Sequence, residues 1–128
     1  MPSSARGVIN QAAIQKIKEA QIRAIIGTAN SIKLDVDREQ TVPFLNGTLD
    51  QSGFVNDSNV EREGVRIQYS TPYAAKQYYV PMNHFRGQHA NARDHWLDPY
   101  MKGGAKEAFV KDLYKKHIIT ELRRANTI

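Results

Sequence analysis

The sequence predicts a single α+β domain with a long N-terminal helix, a long loop, a small antiparallel sheet, a short helix and a C-terminal helix. Three patterns carry this prediction. Apolar residues recur every three or four positions near the N-terminus, alternate with polar residues over 65–69, and recur every four positions near the C-terminus. These periods are typical of amphipathic helices and of half-buried strands. Because 128 residues support one core, we expect residues 1–128 to form one domain.

The first helix is predicted over Val8–Leu34. One residue, Gly27, interrupts its apolar pattern, and a glycine inside a helix costs about 1 kcal/mol relative to alanine. The sequence therefore leaves open a kink or a break at Gly27–Thr28. The apolar positions that define the helix are Ile9, Ala13, Ile17, Ala20 and Ala24, with Ile14, Ile22, Ile25, Ala29 and Ile32 beside them.

A long loop is predicted from Asp35 to Gly53, where the helical period stops and residues that favour turns accumulate. Loops longer than about 12 to 15 residues are uncommon inside compact domains and tend to be functional. Within this loop, Pro43 and Gly47 are expected to fix turns. Leu49 is expected to dock the loop, and Ser52 to satisfy a backbone donor where the next strand begins.

The middle of the chain predicts a hairpin followed by short helical pieces. Val65, Ile67 and Tyr69 alternate with polar residues, as in a strand with one buried face, and the preceding segment is its expected antiparallel partner. Thr71–Pro72 is a favourable helix start, so a short helix is expected over 73–79, ending before Pro81. A polar stretch follows, and a helical turn over 94–101 is expected to anchor Trp96.

The last helix is predicted over 105–123. Its apolar stripe is formed by Val110, Tyr114, Ile118 and Leu122, and the opposite face holds Lys111, Lys115, Lys116 and Glu121. The net charge of the chain is +5, and residues 101–128 alone carry seven basic and three acidic side chains. A basic terminal helix is usually a solvated face, but it also suits nucleic acid or an acidic protein surface.

Several function classes are disfavoured by composition. The chain has no cysteine, which removes disulfides, thiolate nucleophiles and iron–sulfur clusters. No apolar run approaches the roughly 20 residues of a membrane span, and the N-terminus lacks an apolar signal core, so we expect a soluble protein that is not secreted. The glycines match neither a phosphate-binding loop nor a dinucleotide fingerprint. No catalytic residues, cofactor or small-molecule substrate are therefore expected.

Potential metal ligands cluster at one place in the sequence, where His84, His89 and His95 lie near Asp94. Their spacings of five and six residues differ from the spacing of four by which a helix presents two zinc ligands together. We therefore interpret these histidines as surface or interface residues and expect no metal site. A metal-dependent nuclease that uses them remains the least favoured alternative.

Six tyrosines accompany a single tryptophan, a composition that suits an interface as well as a core. Tyr69 and Tyr114 are expected in the core. Tyr78 and Tyr79 are adjacent on a helix, so they are not expected to face the same core. Tyrosines near basic residues also suit base stacking, which keeps nucleic-acid binding open.

Two segments, taken together, give a family resemblance. Residues 42–52 read Val-Pro-Phe-Leu-Asn-Gly-Thr-Leu-Asp-Gln-Ser, and residues 67–75 read Ile-Gln-Tyr-Ser-Thr-Pro-Tyr-Ala-Ala. The pattern of Val-Pro, then Gly-x-Leu-x-x-Ser, then Tyr-Ser-x-Pro-Tyr-Ala resembles the minor capsid proteins of tailed bacteriophages, a family of head–tail joining or neck components. The chain departs from that family at Leu45–Asn46, where many relatives carry an acidic residue.

The resemblance implies a virion protein without catalytic activity, assembled in the bacterial cytoplasm as a homo-oligomeric ring between the capsid portal and the tail. Other connector and tail proteins are its implied partners. A small basic nucleic-acid-binding protein is the main alternative. The candidate interface or loop-anchoring residues are Pro43, Gly47, Leu49, Ser52, Tyr69, Pro72, Tyr73, Tyr78 and Tyr79. The candidate residues facing a DNA channel or a partner are Lys111, Lys115, Lys116, Arg123 and Arg124.

Overall fold

The computed structural model describes residues 2–43, 48–79 and 91–126, including their side chains except those of residues 2–10 and 48. The predicted α+β layout is confirmed. No helix within these ranges is both long and apolar enough to cross a membrane. The elements are α1 (Pro2–Glu39), α2 (Thr48–Gln51), β1 (Gly53–Asn56), α3 (Val60–Glu63), β2 (Arg66–Tyr69), α4 (Ala74–Tyr79), a 3-10 turn (Asp98–Tyr100) and α5 (Glu107–Arg124).

Helix α1 is longer than predicted at both ends and runs unbroken through Gly27. Its last turns include Asp35 and Asp37, which the sequence analysis interpreted as turn residues. Both carboxylates have cationic partners, because Lys33 Nζ lies 2.6 Å from Asp37 Oδ1 and Lys106 Nζ lies 2.6 Å from Asp35 Oδ2. Val36, between them, is fully buried. Tertiary contacts therefore outweigh local turn propensity at this end.

The long loop predicted over Asp35–Gly53 is wrong at both ends. Helix α1 takes its first residues, and α2 and the start of β1 take its last. Of the predicted loop, residues 40–43 are irregular, and residues 44–47, including Gly47, lie outside the described ranges.

Helix α5 packs antiparallel to α1, with the contacts between them running in opposite order along the two helices. Near the start of α5, Lys106 reaches Asp35, and farther along, His117 Nε2 lies 2.9 Å from Ser31 Oγ. Near the end of α5, Arg23 Nε lies 2.8 Å from Glu121 Oε1. The contact face of α1 is made of small residues, since Ala20 and Ala24 are fully buried and Gly27 faces the His117 ring.

The hairpin is a two-stranded antiparallel sheet whose register pairs Gly53 with Tyr69 and Val55 with Ile67. Ser70 N–H extends the ladder by donating to the Ser52 carbonyl. The base of the hairpin lies against Lys33 of α1, because a Cβ at Gly53 would stand 2.6 Å from both the Lys33 and the Tyr69 side chains. The hairpin connection, which holds α3, reaches back toward Lys18. The strands thus run alongside α1.

The core lies where the end of α1 meets α2, α4 and the segment before the 3-10 turn. Its buried members are Val36, Val42, Leu49, Ala74 and Trp96. Trp96 is 1% exposed, and the ring of Tyr69 packs against it edge to face at 5.3 Å. The prediction that a helical turn over 94–101 anchors Trp96 is confirmed in its essentials.

Candidate assembly surface

An apolar groove of about 680 Å³ opens between α1, β2 and α5. Its lining includes Ile25 and Ile32 of α1, Ile67 of β2, and Val110 and Tyr114 of α5. Each of these elements turns one apolar side toward the same space, as the helical and strand periods require.

The groove is accessible to a partner. Ile25 in its lining is 39% exposed, and Met101 at its end beside the 3-10 turn is 52% exposed. In the described sheet β2 pairs with β1 alone, so the other edge of β2 carries no strand. Apolar surface open in this way is typical of interaction sites.

The N-terminal half of α1 is a second exposed apolar surface. The contact between Arg23 and Glu121 lies near the end of α5, so residues 2–19 of α1 extend past the helix that covers the rest of α1. At 1.5 Å per residue this extension is about 27 Å long. Every described side chain from 11 to 19 is exposed. Ile14 is 60% exposed and Ile17 is 39% exposed.

One exposed ion pair links this extension to its own hairpin: Lys18 Nζ lies 3.6 Å from Glu61 Oε1, and both side chains are more than half exposed. Exposed pairs of this kind contribute at most about 1 kcal/mol.

A polar cluster fixes the start of α5 against the end of α1. Asp35 accepts hydrogen bonds from Tyr100 Oη at 2.5 Å and from Lys106 Nζ at 2.6 Å, and Glu39 Oε1 lies 3.5 Å from the same ammonium. Burial raises the pKa of the Asp35 carboxyl, but the two hydrogen bonds and the charge of Lys106 outweigh it and hold that pKa below its usual value. Tyr100 also lines the groove, so this cluster fixes one end of the groove.

The basic residues predicted on the last helix are exposed. Lys111, Lys115 and Lys116 lie on its solvent side, as do Arg123 and Arg124. The predicted apolar stripe of Val110, Tyr114, Ile118 and Leu122 is half-buried. The separation of the two faces is confirmed, but the assignment of Glu121 to the solvent face is wrong. Its side chain is the most buried on α5, because Arg23 pairs with it.

The tyrosines predicted as interface candidates lie in different environments. Tyr69 packs in the core, whereas Tyr73 is 41% exposed in the turn before α4. Tyr78 is half-buried and donates a hydrogen bond to Asp98 Oδ1 at 2.6 Å, while Tyr79 is 67% exposed. The prediction that Tyr78 and Tyr79 do not share one core is therefore confirmed. Tyr114 is half-buried and lines the groove rather than the core.

The candidate loop residues serve the core and its turns. Leu49 is 5% exposed within the core, so it docks as predicted, although in α2 rather than in a loop. Pro43 is buried just before residues 44–47. The Ser52 hydroxyl stabilises the turn before β1 by donating a hydrogen bond to the Leu49 carbonyl at 2.8 Å. Pro72 is exposed in the turn that precedes α4.

His95, the one residue of the histidine cluster within the described ranges, lies beside a carboxylate and two aromatic rings. Its Nδ1 is 2.9 Å from Asp94 Oδ1, and its ring packs against Tyr78 and Tyr79 at 5.1 and 5.7 Å. His84 and His89 lie outside the described ranges. Among the residues that the structure describes, no three His, Cys, Asp or Glu side chains are grouped so that they could hold a metal ion.

Sequence reasoning did not identify the groove. Ile25, Ile32 and Val110 carry the same apolar period as core residues, and periodicity does not distinguish a side chain that lines an open groove from one that is covered.

Comparisons of the chain with protein-family models, with curated proteins and with solved structures found no match.

Proposed function

We propose that this chain is a structural component of the head–tail connector of a tailed bacteriophage, where it assembles into a ring that joins the portal side of the capsid to the tail. The proposal rests on the resemblance carried by residues 42–52 and 67–75 and on one structural observation. A single protomer exposes two unlike apolar surfaces, the groove and the N-terminal extension of α1.

Two unlike surfaces are what a ring requires. In a closed ring each subunit meets its two neighbours through different patches, whereas a two-fold dimer uses one patch that pairs with itself. The groove and the extension differ in shape, since one is concave and the other is a projecting helix. Because they lie at different places on the protomer, they support head-to-tail contacts, in which the extension of one copy binds the groove of the next.

Labelling of particles tests this function. Antibodies against the chain, applied to tailed particles from the genome that encodes it, should bind at the vertex where head and tail meet. Label spread over the capsid shell, or particles that lack the chain altogether, would overturn the proposal.

Nucleic-acid binding is the second candidate, favoured by the exposure of five basic side chains on α5: Lys111, Lys115, Lys116, Arg123 and Arg124. Duplex DNA titrated at increasing salt tests it, because phosphate contacts make affinity fall steeply with ionic strength. Replacement of the three lysines by glutamate should abolish the salt-dependent binding. Binding that is unaffected by both the salt and the substitution would exclude this face.

A further inference from the structure

We infer that the groove between α1, β2 and α5 receives the N-terminal extension of α1, residues 2–19, from a second copy of this chain, with Ile14 and Ile17 entering the groove. This inference rests on the proposed ring and names the contact that builds it.

The helix face that α1 buries inside its own protomer continues toward its N-terminus. Ala20 and Ala24 are fully buried under the rest of the fold, and Ala13 and Ile17 continue the same stripe at spacings of three and four toward the N-terminus. Residues spaced in this way lie on one helix face. The face that α1 buries within its own protomer therefore continues along residues 11–19, where no described residue covers it.

The length of the N-terminal extension also suits a contact with a second copy. The extension has eighteen residues, the same number as α5, the helix that covers the other half of α1. A helix of about 27 Å on which Ile14 and Ile17 are exposed offers a larger contact area than a single inserted side chain. Helix-in-groove contacts use anchors at this i and i+3 spacing.

The charges of the extension and of the groove border are opposite in sign. Residues 2–19 contain three basic side chains and one acidic one, whereas the hairpin connection, residues 57–64, contains three acidic side chains and one basic one. This connection leads directly into Val65 and Arg66, which line the groove. With Arg66 counted, which pairs with Glu63, the border over residues 57–66 has a net charge of −1, against +2 on residues 2–19. A basic helix that approaches the groove of a neighbour therefore meets a border of opposite sign, and complementary charges of this kind fix register and speed association.

A small apolar ligand is the competing occupant, because a volume of about 680 Å³ lies within the range of ligand cavities. Such a ligand would fill the groove but would leave Ile14 and Ile17 exposed. A second copy covers both surfaces at once, and the observations therefore favour it.

Cross-linking tests the contact. The chain contains no cysteine, so two single variants, Ile17→Cys and Ile67→Cys, carry one thiol each. When they are mixed and oxidised, any bond between positions 17 and 67 is intermolecular. The expected product is the mixed disulfide dimer, identified by mass spectrometry of the linked peptides and at least fivefold more abundant than either homodimer.

The matched control is Glu19→Cys mixed with Ile67→Cys. Glu19 is exposed on the opposite face of the same helix, about 200° from Ile17, and it should give no more mixed dimer than a random collision does. Equal yields from positions 17 and 19, or a dominant 17–17 product, would overturn the inference.

Sedimentation of the unmodified chain separates the two proposals. If the chain assembles and the 17–67 bond does not form, the groove contact is wrong and the ring remains supported. If the chain does not self-associate at any concentration, the groove contact is wrong, and the proposed virion role is then judged by particle labelling alone.

Discussion

The imidazole of His117 lies directly over Gly27, so close that a Cβ at position 27 would stand 2.7 Å from the ring Nδ1. The same ring is held from its other nitrogen by Ser31, at 2.9 Å. Gly27 therefore leaves room for a close contact between α1 and the His117 side chain of α5, and its role is spatial. The kink that the sequence left open at Gly27 is absent from the continuous helix α1.

Replacement of Gly27 by alanine should destabilise the fold. An alanine inside a helix normally gains about 1 kcal/mol over glycine, but overpacking a close contact costs about 1 to 3 kcal/mol. We expect the free energy of unfolding, measured by urea denaturation, to fall by up to about 2 kcal/mol.

Two variants make this test specific. Asn30→Ala, at an exposed position of the same helix, should change the unfolding free energy by no more than about 0.5 kcal/mol. In the background of His117→Ala, Gly27→Ala should lose its cost, because the ring it would meet is gone. A stabilising Gly27→Ala in the native chain would show that the two helices do not touch there.

Alkaline pH should unfold the protein, and three buried tyrosines should ionise as it unfolds. Burial raises the pKa of the Tyr69, Tyr78 and Tyr100 hydroxyls, with added hydrogen bonds to Asp98 and Asp35 for the latter two. The folded state therefore keeps protons that the unfolded state releases near pH 10. This contribution to stability is complete below about pH 10 and is lost as the pH rises toward the folded pKa values.

Tyrosinate absorbance recorded with circular dichroism checks this expectation. Part of the tyrosinate signal should appear only as helical dichroism is lost. Full ionisation of all six tyrosines with the helical signal intact would contradict the buried positions of these three rings.

The two faces of α5 should respond differently to substitution. Replacement of Lys111, Lys115 and Lys116 by glutamate should leave thermal stability almost unchanged, because exposed changes usually stay within about 0.5 kcal/mol. Ile118→Ala should cost about 1 to 3 kcal/mol, at or below the lower end of the range for a fully buried isoleucine, since Ile118 is half-buried. Thermal denaturation compares the two. If the lysine variant unfolds at a much lower temperature and Ile118→Ala does not change thermal stability, the buried and exposed faces of α5 are assigned the wrong way round.

Much of the fold follows from the sequence, because the spacing of apolar residues indicates which helices and strands bury one face. Spacing predicts the long helix, the hairpin and the last helix, and Thr71–Pro72 with Pro81 predicts the short helix between them. The helical turn predicted over 94–101 places Trp96 as an anchor. The end of α1 is different. Asp35 and Asp37 favour turns locally, but the burial of Val36 between them and their cationic partners, Lys106 and Lys33, favour the helix.

The candidate site is less accessible to sequence reasoning. A groove exists where three elements fail to close over one another, and that depends on their separation in space rather than on any local pattern. Gly27 accommodates the His117 ring between α1 and α5, and a glycine in a sequence predicts a kink as readily as a contact. The burial of Glu121 likewise depends on Arg23, ninety-eight residues away.

The central claim is that this chain assembles head to tail into a closed ring, and native mass spectrometry tests it most directly. Each subunit has a mass of 14.5 kDa, so ring sizes are resolved by counting subunits. We predict one dominant oligomer of more than two subunits, and its dissociation to monomers when Ile17, exposed on the N-terminal extension, is replaced by glutamate. A species of 14.5 kDa at every concentration, or a dimer that the Ile17→Glu variant retains, would contradict the account.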